Sequence, residues 1–256
     1  MKSADPAVAS NGKQQFATTR WSLILTQRAS DQSSSARDEL ALLCQIYWRP
    51  IFAFICRNGY PAQDAQDLTQ DFLVMIVEGK FFASADPERG RFRSFLLKSL
   101  KNFLKDAERK RRRQKRGGEF DFISWEQWTA EAPSQLLISA RALESSPPDT
   151  VFDVRWAAST AEQALRRLRL ECESRGHRRI YETLHHHLTV DRSEISYEDL
   201  SQQLAVSSAV VKRLLHEFRL RYRTLLREEI AATVADKTDV DQEIRYLCTV
   251  LSRFAA

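Results

Sequence analysis

Seven glycines and seven prolines in 256 residues leave this chain few places to turn sharply. A sheet-based fold of this length needs many tight turns, and turns draw heavily on those two residue types. Apolar residues instead recur at three and four positions over long stretches, the spacing of amphipathic helices. The chain is therefore predicted to be all-α. With 43% hydrophobic and 29% charged residues, it reads as globular.

The pattern divides the chain into two helical domains joined by a linker. Residues 1–18 are small and polar and read as a disordered tail. The first domain spans 19–118. Its first helix is expected from near Thr19, with a polar break at 31–35. A second helix covers 37–57 and carries Leu40, Leu43, Tyr47, Ile51, Phe54 and Ile55. Asn58 and Gly59 end it, the glycine suiting a left-handed cap. Pro61 opens the next turn, and Ala65, Leu68, Phe72, Met75 and Ile76 form another stripe closed by Gly79. A turn at 86–90 leads into a long amphipathic helix over 92–113. Residues 119–150 contain Pro133, Ser145, Ser146, Pro147 and Pro148 and read as the linker, with room for one short helix, and with Trp125 and Trp128 either anchoring it or stacking on nucleic acid. The second domain spans 151–256 and ends in an amphipathic helix over 240–254.

The net charge is only +5, but the basic residues are grouped. Lys105, Arg109, Lys110, Arg111, Arg112, Arg113, Lys115 and Arg116 form one group. Lys212, Arg213, Arg219, Arg221, Arg223 and Arg227 form another. Two such groups suggest two contacts with a polyanion, against the plainer reading of two solvated helix faces. Cys44, Cys56, Cys172 and Cys248 are far apart without a C-x-x-C pair, and read as buried, reduced thiols. No secretory h-region is seen in residues 1–15, and no apolar run approaches 18 residues. A cytoplasmic, non-membrane protein is expected.

The sharpest local signal lies in residues 197–221, which read as a C-terminal helix-turn-helix. Leu200 and Leu204 lie on the first helix, Ala205 occupies the turn, Val206 fills the angle and Ser207 suits an N-cap. Val211, Leu214 or Leu215, and Phe218 face the core. That leaves Ser208, Ala209, Lys212, Arg213, His216 and Arg219 outward, on a helix of the kind that enters a major groove. Phosphate contacts from Lys212, Arg219 and Arg223 would set position, and Arg213 would read bases. A helical hairpin with a basic face is the plainer alternative.

Asp64, Asp67 and Asp71 recur three and four residues apart and share one helix face. They read as a solvated acidic face, a divalent-metal cluster of a nuclease, or a docking face for a basic helix. His185, His186 and His187 are consecutive, so on a helix they diverge and suit no single metal ion. Phosphate-loop, nucleophile-elbow and zinc-protease motifs are missing. No catalysis, cofactor, metal or small-molecule substrate is expected.

In order and spacing these segments resemble the extracytoplasmic-function-type sigma factors, promoter-specificity subunits of bacterial RNA polymerase. Tyr47, Trp48, Arg49 and Pro50, followed by residues 64–72, are similar to the family's second region. Residues 90–97, with Asn102, Phe103 and Leu104 leading into Asp106 and the basic run, look like its promoter-melting segment. Residues 197–221 resemble the helix-turn-helix of its fourth region. Residues 18–23 and 243–247 look like a divergent subgroup. The resemblance covers about 18–254.

The resemblance implies that Asp64, Asp67, Gln70 and Asp71 dock on the clamp helices of the largest polymerase subunit. Arg93, Asn102, Arg109, Arg112 and Arg113 would serve promoter melting, with Arg93 and Asn102 as candidates for holding a flipped base. The linker would pass near the RNA exit path. The second domain would read the minus-thirty-five element and touch the flap of the second-largest subunit, and an anti-sigma factor would be a further partner. A helix-turn-helix regulator that is not a polymerase subunit is the alternative function.

Overall fold

A computed structural model describes residues 34–78, 91–114, 140–234 and 237–254, with side chains in 40–78, 91–110, 142–234 and 238–254. Among them every regular element is helical and no strand forms, so the all-α expectation holds. The tail, the helix expected near Thr19, Gly79, the 86–90 turn, Trp125 and Trp128 lie outside the described residues.

Helix α1 spans Ser34–Arg57, α2 Ala62–Val77 and α3 Phe92–Gln114. α1 starts inside the polar break expected at 31–35. Gly59 sits at φ 86°, the left-handed conformation that its position after the helix requires. Pro50 lies within α1 and lacks the N–H of a normal helical bond, so tertiary packing overrides its local preference there. Residues 40–57 of α1 reach 18 residues at mean hydropathy 1.3, contrary to the expectation that no apolar run is so long. By composition that stretch could cross a membrane. In this fold Leu43, Tyr47, Ile51 and Ile55 are instead buried in the centre of the core.

α4 spans Ala140–Glu144 and α5 Pro148–Ser174, so helices occupy the end of the segment read as linker. Arg57 fixes α4 to the end of α1 by donating to the carbonyls of Glu144 at 2.5 Å and Ser146 at 3.1 Å. α5 is the pivot of the fold. Nearly every residue from Val151 to Leu165 is buried, a pattern that requires neighbours all round the helix. Ala157, Ala158, Ala161 and Ala164 keep its surface narrow.

α6 spans Arg178–Leu184, α7 Tyr197–Leu204, α8 Ser208–Ala231 and α9 Val240–Phe254. A first core joins α1, α2 and α3 to Phe152, Trp156 and Ala157 of α5, and to Ile230, Val234, Val240 and Leu247 near the C-terminus. Tyr47 meets Phe92 edge-on at 5.3 Å. A second core gathers Ala164 and Leu168 of α5 with Tyr181, Leu184, Ile195, Leu200, Val211, Leu215, Phe218 and Leu225. A small third cluster packs Ala53, Leu143, Val151 and Val154 against Phe254. The boundary expected at 150/151 thus falls within α5, which contributes to both large cores.

Arg93 is 7% exposed at the start of α3, which corrects its reading as a surface contact. Its guanidinium pairs with Asp153 and, at 3.1 Å, with Glu243, while Arg91 reaches Glu243 at 2.9 Å. The Trp156 and Tyr246 rings flank it at 4.9 and 4.5 Å. The Tyr246 hydroxyl also donates to Asp153. Burial opposes the charge on Arg93, but the two carboxylates more than offset it and hold its pKa up.

Candidate nucleic-acid interface

The geometry of α7 and α8 starts with two caps. Ser196 accepts from the Asp199 amide at 3.4 Å and begins α7. At its end Ala205 adopts φ 54°, ψ 42°. The Ala205 amide bonds the Gln202 carbonyl at 3.3 Å and the Val206 amide the Ser201 carbonyl at 3.2 Å, a Schellman motif. Ser207 has the extended backbone of an N-cap, but its side chain makes no capping bond, unlike its expected role.

Leu200, Val211, Leu215 and Phe218 are buried as expected, and Leu214 is partly buried. On the opposite face Ala209, Lys212, Arg213 and His216 are exposed, while Ser208 is half-buried and reaches Glu198 at 3.4 Å. Lys212 Nζ rests 5.1 Å from the Tyr197 ring, and Arg213 approaches Glu217 only at 3.9 Å. A cleft lined by Arg192, Tyr197, Lys212, His216 and Arg219 runs alongside.

Arg219 departs from its expected outward role. Its guanidinium donates to the carbonyls of His187 at 2.7 Å and Val190 at 2.6 Å, and so fastens α8 to the preceding loop. Arg221 likewise binds Glu171 at 2.5 Å, and Arg227 pairs with Asp241. Arg223 remains exposed. In the histidine run the His185 ring stacks on Tyr181 at 4.9 Å. Burial and its cationic neighbours keep the His187 pKa below the usual imidazole range. Among the described residues no three His, Cys, Asp or Glu side chains are placed to hold a metal ion.

A second basic surface runs along α3. Lys98, Asn102, Lys105, Arg109 and Lys110 are exposed and Lys101 half-buried, giving a stripe at helical spacing. Lys98 and Lys101 belong to it although the basic run counted in the sequence begins at Lys105. Lys101 pairs with Asp149 at 2.6 Å and Arg109 with Asp106 at 3.3 Å. The side chains of Arg112 and Arg113 lie outside the described residues.

The acidic face of α2 adjoins this stripe. Asp64, Asp67, Leu68, Asp71 and Met75 form one wall of a groove of about 590 Å³, and Asn102, Phe103, Asp106 and Lys110 form the other. Asp67, Gln70 and Asp71 are exposed and Asp64 is half-buried. None of the three aspartates makes an ion pair with a described residue. Val74 and Val77 continue the face at 52% and 44% exposure. The sequence reading missed them, although their spacing from Gln70 could have placed them there.

Cys44, Cys56 and Cys172 are partly buried but Cys248 is exposed, which corrects its expected burial. Burial pushes the Cys56 thiol up to about 12, so it is a poor nucleophile. Comparison of the chain with protein families, characterised proteins and solved structures finds no match.

Proposed function

We propose that this chain is a promoter-specificity subunit of bacterial RNA polymerase, of the extracytoplasmic-function sigma type, acting in the cytoplasm without catalysis of its own. The observation that carries the reading is the exposed acidic face of α2, without ion pairs among the described residues, beside the basic stripe of α3. This face lies apart from α7 and α8, so a partner bound there would be additional to DNA held by that pair. Carboxylates without an ion-pair partner among the described residues, ending in exposed Val74 and Val77, suit a basic and partly apolar helical partner. In this reading that partner is the clamp helices of the largest subunit.

The remaining surfaces take complementary roles. Lys98, Lys101, Asn102, Lys105 and Arg109 track the phosphates of melted promoter DNA. The pair α7 and α8 acts as a helix-turn-helix, with Lys212 on phosphate and Arg213 on a base edge, supported by their exposure on a helix held by a tight turn. The part of the chain bearing that pair also touches the flap of the second-largest subunit. Arg93 and Arg219 drop out of the contact set because the protein itself engages them.

The test is binding to purified core polymerase without DNA. The chain should be retained, and Asp67→Arg should weaken retention about tenfold with unchanged circular dichroism, since Asp67 is exposed and makes no ion pair with a described residue. A regulator that is not a polymerase subunit would bind promoter DNA but leave core polymerase unbound.

A further inference from the structure

A groove of about 550 Å³ runs along the seam between α1 and α5. Cys44, Ile46 and Trp48 of α1 and Leu73 of α2 give it apolar walls, and Ser159 and Gln163 line it from α5. Arg166 of α5 donates to the Gln45 side chain at 3.1 Å across the same seam. Ser159 and Gln163 are each 8% exposed, and neither side chain has a hydrogen-bond partner among the described residues. A side-chain amide so far from bulk water is costly to leave unpartnered. Among apolar walls it calls for an occupant with an apolar body and one polar tip, and tryptophan is built that way.

The chain itself carries such an occupant. Residues 19–30 lie outside the described residues. In their sequence Trp21, Ile24 and Leu25 recur at three and four positions, one face of an amphipathic helix. The lengths also fit. Cys44 lies ten residues beyond Ser34, about 15 Å along α1 from its start. Asp31, Gln32 and Ser33 suffice for the short loop of an antiparallel helix pair. Trp21 precedes Asp31 by the same ten residues, so a helix folded back from that loop brings it level with Cys44. We propose that residues 19–30 dock as a helix in the α1–α5 groove, with the Trp21 ring inside it and the indole N–H donating to the Gln163 side-chain carbonyl. The docked segment lies against the helix that both large cores share, and it shields Cys44. This inference is independent of the polymerase reading.

The test is alkylation of the full chain by N-ethylmaleimide, read peptide by peptide in mass spectra, for the wild type, Trp21→Ala, Trp125→Ala and Trp128→Ala. Cys248, exposed on α9, is the internal reference. In Trp21→Ala the Cys44 thiol should react about tenfold faster than in the wild type, with Cys56, Cys172 and Cys248 unchanged. An unchanged Cys44 rate in that variant overturns the docking. Faster Cys44 in Trp125→Ala or Trp128→Ala instead gives the groove to another segment and overturns it as well, and so does wild-type protection lost on dilution, which would mark a second copy as the occupant. Faster reaction at Cys56 and Cys172 too would show that Trp21→Ala fails to fold, and hydrogen exchange of the wild type then decides. Amides of residues 21–30 should exchange about a hundredfold slower than in unstructured chain, and exchange at the unstructured rate overturns the proposal.

Discussion

Helices α3 and α8 are both rich in basic residues, yet they use them in opposite order. Arg91 and Arg93 at the start of α3 are engaged by Glu243 and Asp153, and the outward stripe begins only at Lys98. On α8 the outward residues Lys212, Arg213 and His216 come first. Arg219, Arg221 and Arg227 follow and are tied to carbonyls or carboxylates of the protein. A count of basic residues therefore overstates both surfaces. Whether a cation faces a partner depends on which internal acceptors the fold brings to it. A buried guanidinium needs such acceptors, while an exposed one gains little from them.

The largest effect should come from the helix that joins the two cores. Trp156→Ala removes a fully buried side chain that also flanks Arg93, and should cost about 3–5 kcal/mol in urea unfolding. If α5 couples the cores, tryptophan fluorescence and circular dichroism will report one shared transition. Separate transitions would break the picture of a shared helix.

Next comes the contrast between buried and exposed arginine. Arg93→Ala leaves Glu243 with Arg91 and Asp153 with only the Tyr246 hydroxyl, and should cost about 3 kcal/mol. Arg213→Ala should cost under about 0.5 kcal/mol in stability. It should nevertheless relax promoter choice in transcription in vitro by about 1–3 kcal/mol at one base pair. Equal stability losses for the two variants would contradict the comparison.

A smaller effect is expected in the turn. Ala205 carries a β-carbon at φ 54°, so Ala205→Gly should raise stability by roughly 0.5–1 kcal/mol, read as an increase in Tm. The smallest concerns pH. The hydrogen bond from Arg221 holds the Glu171 carboxyl below the usual range, as Arg227 does for Asp241. A depressed carboxylate stabilises the fold fully above its unfolded pKa, near about 4.3 for glutamate, and this stabilisation is lost as pH falls through the folded value. Glu171→Gln should flatten the acid limb of the stability profile and leave its neutral plateau only slightly lower.

The local features were legible because their causes are local. Helical spacing marked α1, α2, α3 and α9, Gly59 marked a turn, and Leu200, Val211 and Phe218 marked the inward face of α7 and α8. The acidic face of α2 was visible as a three-and-four repeat. Arg93 and Arg219 were misread because their acceptors are distant in the chain. Glu243 follows Arg93 by 150 residues, and the carbonyls that bind Arg219 precede it by 32 and 29. The Pro-rich composition of residues 145–148 hid the start of α5, since proline fits the first helical turn as well as a linker. The long apolar stretch of α1 escaped notice because Arg49 and Pro50 interrupt it.

The central claim is that the chain directs polymerase to promoters. Purified chain should be added to core polymerase on a library of randomised promoter sequences, and the initiated transcripts sequenced. The account predicts initiation well above core alone, with defined sequences enriched at two upstream elements and one of them altered by Arg213→Ala. Initiation no greater than core alone, or with no sequence enriched, would contradict it.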